Sequence, residues 1–138
     1  MSKTGKHIKT NKFSMVERIR SISHAFRGIA SLLRYEHNAR IHLAMLLLVI
    51  VAGILLNISG NDWLAILFVS GLVFTSECFN TAIENLADLI TEEPNEHIGR
   101  AKDVAAAGVL ISAIISVAVG LMIFVPAILK LVRGQNLL

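Results

Sequence analysis

Three long apolar runs constrain this chain more than any other feature of its sequence. They occupy residues 43–58, 64–90 and 104–129, and the second of them carries a few polar positions. A helix of roughly 20 predominantly apolar residues crosses the hydrocarbon of a bilayer. Hydrophobic residues make up 54% of the chain and charged residues only 17%. The sequence therefore predicts an all-α integral membrane protein with spans at about 41–58, 63–90 and 101–128.

A helix of a different kind precedes the first span, over residues 14–34. Its apolar residues recur every three or four positions and form one stripe: Val16, Ile19, Ile22, Phe26, Ile29 and Leu33. Arginines at 20, 27 and 34 repeat every seven residues on a neighbouring face. This pattern is typical of an amphipathic helix on the membrane surface. The alternative is a cytosolic helix packed on the bundle.

The remaining segments are polar connections and ends. Residues 1–13 are rich in lysine and lack an apolar core of a signal peptide, so we expect a flexible basic N-terminus and no cleaved leader. The sequence SGND at 59–62 predicts a tight turn, and Trp63 predicts an interfacial anchor. Residues 14–130 would form one membrane domain, followed by a tail at 131–138.

The distribution of basic residues predicts the orientation in the membrane. Nine of the 13 Lys and Arg residues precede residue 41, and none lies in 57–63. Short basic segments stay in the cytoplasm, which places the N-terminus and the loop at 91–100 inside. Lys130 and Arg133 in the tail weaken this contrast only slightly. No base-reading motif or aromatic platform accompanies the basic block, so nucleic acid is not an expected partner.

Ionisable residues interrupt the second span in the stretch ECFNTAIENLADL, residues 77–89. At about 100° per residue, Glu77, Asn80, Glu84 and Asp88 share one helix face about 80° wide. Ionisable residues in a span face the protein interior or a cavity and usually mark function. Asp88 lies at the end of this face, where it could also cap the helix or pair with Arg100.

Further charged residues are expected at the same membrane level. Glu36 and Arg40 precede the first span, Lys102 and Asp103 open the third, and small residues follow at 105–108. Mg²⁺ prefers one or two carboxylates together with phosphate oxygens. Cations that neutralise phosphate and a carboxylate that accepts a proton complete the requirements of phosphoryl transfer. We expect the carboxylates to be buried because the phosphate acceptor is a lipid.

Two other classes of function fit part of the pattern. A small oligomeric transporter could use Glu77 as a proton-linked carboxylate, but it would not need the charged residues at the membrane edge. A scaffold subunit would need the polar face for assembly alone. Nucleotide binding separates the kinase from both, and the chain contains no GxxxxGK[ST] phosphate loop.

At these residues the chain resembles the small bacterial diacylglycerol kinase and undecaprenol kinase family. Three motifs carry the resemblance: E-x-x-N-T-A-I-E-x-x-x-D at 77–88, R-A-K-D-x-A-A at 100–106, and F-R-G-I followed by E-x-N-A-R between 26 and 40. The resemblance implies a homotrimer in the bacterial cell membrane that transfers the γ-phosphate of MgATP to a lipid alcohol. Its active sites would lie at the cytoplasmic face, shared between neighbouring protomers.

The resemblance also implies roles for individual residues. Glu77 would be the catalytic base, and Glu36 and Glu84 would hold Mg²⁺ with the ATP phosphates. The remaining expected ATP contacts are Lys102, Asp103, Glu93, Asn95, Arg20 and His24, and the expected substrate or site-ordering residues are Asn80, Arg40 and Ala106. For His24, a solvated or packing histidine is the alternative.

The acceptor lipid stays open between diacylglycerol and undecaprenol. The chain carries Glu17, His24 and His42 where enterobacterial diacylglycerol kinases carry Arg, Tyr and Glu. The sequence EHNARIH, residues 36–42, is more similar to the undecaprenol kinase branch of the family than to the enterobacterial diacylglycerol kinases. This similarity favours the polyprenol.

Overall fold

The computed structural model describes residues 14–91 and 93–134, and all regular structure in these two ranges is α-helical. The helices in chain order are α1 (Met15–Tyr35), α2 (His37–Leu55), α3 (Gly60–Ile90) and α4 (Glu96–Val132). The expected flexible segment 1–13 and the last four residues of the predicted tail lie outside the described residues. The prediction of an all-helical chain is confirmed over the part that the structure describes.

Three of the helices, α2, α3 and α4, are long and apolar enough to cross a membrane by length and composition. Most of their large apolar side chains point outward. Residues away from the helix ends, such as Leu48, Phe68 and Ile114, are exposed in the single chain. Such a surface needs lipid or another protein chain against it. The chain is therefore a multi-pass membrane protein, as the three apolar runs predict.

The first helix begins with a cap that its own sequence supplies. The Ser14 side chain accepts a hydrogen bond from the backbone N–H of Glu17 at 3.4 Å, which satisfies one of the free donors of the first turn. In α1, all of which is described, only Leu32 is buried. The apolar stripe, including Ile19 and Phe26, is exposed. The three-helix bundle of one chain therefore leaves this stripe uncovered.

A single extended residue, Glu36, separates α1 from α2. Its φ of −91° and ψ of 120° interrupt the helical path, and its backbone N–H donates to the carbonyl of Leu32 at 2.9 Å. The chain resumes as α2 at His37. The interruption brings the Glu36 side chain to the start of α2 without any side-chain capping hydrogen bond. Its carboxylate is therefore not used in helix capping.

The connection between α2 and α3 lies slightly earlier than the sequence predicts. Residues 56–59 form it, with Asn57 in the left-handed region at φ 49°. Ser59 and Asp62 form a capping box: the Ser59 hydroxyl accepts from the Asp62 N–H at 3.2 Å, and the Asp62 carboxylate accepts from the Ser59 N–H at 3.1 Å. These two hydrogen bonds place most of the expected turn, 59–62, in the first turn of α3.

Trp63 packs on Gly53 across this connection. A Cβ atom added to Gly53 would lie 2.7 Å from Cη2 and 2.9 Å from Cζ2 of the indole. Those distances are shorter than carbon atoms tolerate, so the close approach of α2 and α3 depends on the absence of a side chain at position 53. Trp63 thus contacts protein at this end of the bundle, and its role as an interfacial anchor stays a prediction.

The most extensive helix pair is formed by α3 and α4. The buried apolar residues of α3 include Ile66, Val69 and Val73. In α4 the buried residue is Ser112, whose hydroxyl donates to the carbonyl of Val109 at 2.8 Å. The small Ser112 side chain satisfies its own polar group within its helix, so it can lie in the apolar contact with little penalty.

Replacing Gly53 by alanine should destabilise the chain although alanine is the better helix former. Overpacking against Trp63 costs about 1–3 kcal/mol, and the gain in helix propensity of about 1 kcal/mol offsets only part of it. We expect a net loss of up to about 2 kcal/mol, measured by thermal unfolding in detergent.

Two matched variants test the cause. Gly99→Ala, where the added atom meets nothing within 4 Å, should not destabilise the chain. Trp63→Phe introduced into Gly53→Ala should recover stability, because it removes the ring atoms that clash. Unchanged stability of Gly53→Ala would show that the indole is not held against α2.

Candidate active site

The polar residues of α3 lie on one side of a continuous helix, and their exposure changes along it. The Glu77 side chain is 2% exposed and Asn80 is 7% exposed. Glu84 is half-buried, and Asp88 at the end of the series is exposed. The face therefore runs from a buried carboxylate inside the bundle to an exposed one near the loop that precedes α4.

His42 of α2 lies against the buried carboxylate. Its Nε2 is 3.2 Å from Glu77 Oε1. The ring is not oriented for a hydrogen bond, and Glu77 Oε1 has no hydrogen-bond partner among the described residues. Sequence reasoning did not include His42 in the site. The periodicity of α2 could not reveal the contact, because it does not indicate which face of α2 meets α3.

Next along α3, Asn80 is tied to Glu84. Asn80 Nδ2 donates to Glu84 Oε1 at 3.0 Å, a spacing of one helical turn. The other polar atom of Asn80, Oδ1, is buried without a partner in the described chain, and so is Thr81 Oγ1. Buried polar atoms of this kind call for an explanation, such as a ligand or ion. Thr81, within the motif at 77–88, was also missed by sequence reasoning.

The third carboxylate of the cluster comes from the junction of α1 and α2. Glu36 is half-buried and is close enough to Glu77 to interact with it electrostatically, as Glu84 and His42 are. The cluster Glu36, Glu77 and Glu84 therefore combines one carboxylate from the α1–α2 junction with two from α3. Negatively charged carboxylates that interact in this way repel one another. A cation or a proton bound among them would offset that repulsion.

The donor set at this cluster fits Mg²⁺. Mg²⁺ takes oxygen ligands and is usually bound by one or two carboxylates plus substrate phosphates. Glu84 uses one carboxylate oxygen in its hydrogen bond to Asn80, and Glu36 makes no capping hydrogen bond with its side chain. Within the residues described, no three His, Cys, Asp or Glu side chains are arranged as a complete metal site. The arrangement agrees with a cation that Glu36 and Glu84 would hold together with the phosphate oxygens of a substrate.

At the exposed end of the polar face, α4 contributes a cation. Lys102 Nζ donates to Asp88 Oδ1 at 2.9 Å and also lies within electrostatic reach of Glu84. Asp88 therefore pairs with Lys102, and not with Arg100, which was one of the alternatives. Arg100 instead contacts His97 and Glu96 of its own helix, at 2.8 Å and 4.0 Å.

Two expected ATP contacts lie in the loop between α3 and α4. Asn95 caps α4, and its Oδ1 accepts from the backbone N–H groups of His97 and Ile98 at 3.0 and 3.2 Å. The backbone N–H of Glu93 donates to Thr91 Oγ1 at 3.0 Å. These contacts give the loop a defined conformation and leave the Glu93 side chain exposed.

The other expected site residues lie on the exposed surface of α1, α2 and α4. In the described chain no hydrogen bond or ion pair joins them to the carboxylate cluster; they are Arg20, His24, Arg40, Asp103 and Ala106. His24 contacts Arg27 instead, with Nδ1 2.8 Å from the arginine Nη2. A role in binding for this group would require a ligand that bridges them to the cluster.

An apolar groove of about 430 Å³ runs beside the cluster between α2, α3 and α4. Its wall includes Met45, Val69 and Phe124, one from each helix, and His42 lines it near the buried carboxylate. The groove is lined almost entirely by apolar side chains, with serines 70 and 116 as further polar groups. It lies along the spans, so its shape and chemistry suit a hydrocarbon chain.

Fold and site together define a multi-pass membrane protein with a buried carboxylate next to an apolar groove. Residues 23–124 match the family model described as prokaryotic diacylglycerol kinase. The chain is 40% identical over 107 residues to an undecaprenol kinase of Bacillus subtilis, an alignment that covers 78% of this chain and 87% of that protein. It is 33% identical over 112 residues to a diacylglycerol kinase of Synechocystis sp., covering 80% of this chain and 64% of that protein.

The chain belongs to the prokaryotic diacylglycerol kinase family and is a membrane enzyme of the lipid kinase class. The resemblance expected from the three sequence motifs is confirmed. The membership favours an enzyme over the transporter and scaffold alternatives.

The ion pair between Asp88 and Lys102 should contribute little to folding. Both side chains are more than one-third exposed, at 69% and 37%, and exposed pairs contribute about 0–1 kcal/mol. A double-mutant cycle with Asp88→Asn and Lys102→Met, measured by thermal unfolding in detergent, should give a coupling energy in that range. The more exposed pair Glu96 and Arg100, 4.0 Å apart, is the control and should give a smaller value. A coupling well above this range would assign the pair a structural role.

Proposed function

We propose that this chain transfers the γ-phosphate of ATP, with Mg²⁺, to the hydroxyl group of a membrane lipid alcohol. The observation that carries the proposal is the placement of Glu77. Its carboxylate is 2% exposed on a membrane-spanning helix, yet it lies within electrostatic reach of Glu36 and Glu84. A base that acts on a lipid hydroxyl has to lie below the membrane surface, whereas the groups that hold phosphate have to lie nearer to water.

Glu77 is the proposed catalytic base. It accepts the proton of the lipid hydroxyl while the hydroxyl oxygen forms a bond to the γ-phosphorus of ATP, and the bond from that phosphorus to the β–γ bridging oxygen breaks. ADP leaves with the electron pair of the broken bond. The burial of Glu77 supports this role, because a carboxylate with few competing water contacts is available to the acceptor.

Glu36 and Glu84 are the proposed Mg²⁺ ligands. The two carboxylates lie on different elements, the α1–α2 junction and α3, and the Asn80 amide fixes Glu84 through its hydrogen bond. When bound, Mg²⁺ would neutralise charge on the phosphate groups of ATP. Asn80 is thus a proposed site-ordering residue.

The proposed ATP contacts lie around the exposed end of the polar face. Lys102 is the best supported, since its ammonium group lies beside Asp88 and within electrostatic reach of Glu84. Asp103 follows it on α4, and the loop contributes Glu93 and Asn95. Further proposed contributors lie on α1 and at the ends of the spans: Arg20, His24, Arg40 and Ala106.

We propose a polyprenol of the undecaprenol type as the acceptor, with diacylglycerol as the alternative. The undecaprenol kinase relative is 40% identical and is covered over 87% of its length, more than the diacylglycerol kinase relative on both measures. The apolar groove beside His42 suits a hydrocarbon chain, which both lipids carry, so the choice rests on the relatives.

The proposed setting is the bacterial cell membrane, with the site at the cytoplasmic face. Nine basic residues before residue 41 support a cytoplasmic N-terminus. The exposed apolar stripe of α1 supports a position on the membrane surface. We propose a homotrimer, in which neighbouring chains cover part of the apolar surface and add residues around the ATP phosphates.

Replacing Glu77 by glutamine should remove the transfer activity. General base catalysis contributes about 100-fold to 10,000-fold, and glutamine cannot accept the proton. The measurement is phosphate transfer from labelled ATP, with purified protein in mixed micelles that carry either undecaprenol or diacylglycerol, with and without Mg²⁺. Labelling of the polyprenol that depends on Mg²⁺ and on Glu77 is the expected result.

The control for this loss is Glu96→Gln, an equivalent change at an exposed position of α4, which should leave activity unchanged. Labelling of diacylglycerol alone would replace the proposed acceptor. A folded wild type that labels neither lipid, or a Glu77→Gln variant within tenfold of wild type, would contradict the proposal.

Glu36→Gln and Glu84→Gln should each raise the Mg²⁺ concentration needed for half-maximal activity. We expect roughly a tenfold increase or more, because each change removes a charged ligand from a hard divalent cation. Excess Mg²⁺ should restore part of the activity to these two variants and none to Glu77→Gln. Equal Mg²⁺ requirements in the Glu84→Gln variant and wild type would remove Glu84 from the metal site.

A further inference from the structure

His42 has a position that the proposed mechanism does not use. It lies on α2, with 24% of its side chain exposed, and its Nε2 is 3.2 Å from Glu77 Oε1. On its other side it lines the apolar groove. His42 is therefore the described residue that touches both the buried carboxylate and the space proposed for the lipid chain.

The contact with His42 could satisfy the hydrogen-bonding requirement of the Glu77 carboxylate. Glu77 Oε1 is buried without a hydrogen bond from the described chain, and an unsatisfied buried carboxylate oxygen is unfavourable. An imidazole Nε2–H at 3.2 Å needs only a change of ring orientation to donate to it. That hydrogen bond would occupy Oε1 and leave Oε2 as the oxygen that receives the proton.

The groove supplies an independent reason to place His42 next to the acceptor. Among the described residues that line the groove, His42 is the ionisable one, and the remaining polar members are Ser70 and Ser116. If the chain of a lipid alcohol lies in the groove, its hydroxyl group is most stable at a polar end, because a buried hydroxyl without a hydrogen bond is costly. The end marked by His42 is the one at which Glu77 lies.

We propose that His42 is a positioning residue for lipid phosphorylation, which holds the Glu77 carboxylate at the end of the groove where the lipid hydroxyl arrives. This inference rests on the proposed function. The proton of the lipid hydroxyl goes to Glu77 Oε2, while the proton of His42 stays on Nε2 and is donated in a hydrogen bond to Oε1. The other charged groups within electrostatic reach of Glu77 are Glu36 and Glu84, and neither lines the groove.

The kinetic test compares two replacements at position 42. His42→Leu fills the site without a donor, and His42→Gln keeps a neutral N–H donor. A hydrogen bond to a charged group corresponds to about a 10- to 100-fold effect, so we expect His42→Leu to lower kcat by that factor. The KM for MgATP should stay within about twofold, and His42→Gln should recover most of kcat.

The matched control is His97→Gln, an exposed histidine at the start of α4, which should behave as wild type. Equal kcat in His42→Leu and wild type would overturn the inference. A second contrary outcome is that His42→Leu and His42→Gln both raise the KM for the lipid equally and leave kcat unchanged. That result would show that His42 only shapes the groove.

A second test does not depend on activity. In protein with ¹⁵N-labelled imidazole rings, the resonances that disappear in His42→Gln identify His42. These resonances should shift in Glu77→Gln, and those of His97 should not. Unshifted His42 resonances would overturn the contact itself. A wild type that phosphorylates no lipid while the resonances do shift would overturn the proposed function and the role of His42 in it, but not the contact.

Discussion

Burial of a carboxylate inside an apolar helix bundle is the constraint on which the rest of this structure depends. A charged group removed from water is costly unless polar partners surround it. At the level of Glu77 the chain supplies His42, Asn80 and Thr81, each from a position that faces the interior. Several atoms of this set remain without hydrogen bonds in the described chain. Unpaired buried atoms of this kind agree with the ligand-binding role proposed for this face of α3.

The site combines two environments that suit substrates of opposite solubility. The interior end has Glu77, His42 and an apolar groove, and it offers a dry surface to a hydrocarbon chain. The other end has the ion pair of Asp88 and Lys102, which is partly exposed to water and is where we propose that ATP binds. A single helix, α3, connects the two environments. In the proposed reaction, residues of α3 contact the lipid at the apolar end and the nucleotide at the exposed end. The lipid can then stay in the membrane and the nucleotide in water.

The sequence predicts the helices and the polar face, because both follow from local periodicity. Hydrophobic length indicates the three spans, and the spacing of Glu77, Asn80 and Glu84 indicates one face of α3. Contacts between helices do not follow in this way. The pairing of Lys102 with Asp88 and the contact of His42 with Glu77 depend on how the helices are arranged around one another. No spacing along one helix specifies that arrangement.

Other differences arise from local chemistry that periodicity does not weigh. The Ser59–Asp62 capping box begins α3 within the stretch expected to be a turn. Asn95 is a candidate for ATP binding by motif, yet in the structure its side-chain oxygen caps α4. In both cases a side-chain oxygen accepts from backbone N–H groups at a helix start, a role that was not predicted for either residue.

The extended residue between α1 and α2 has a mechanical consequence. Glu36 alone separates α2 from a helix of 21 residues, which is a rod about 30 Å long. Leu32 is the only buried residue of that helix, so its tilt depends strongly on the φ and ψ angles of Glu36. In the proposed site, a cation bound by the Glu36 carboxylate would restrict those angles. The tilt of α1 and the binding of the cation would then be coupled through one residue.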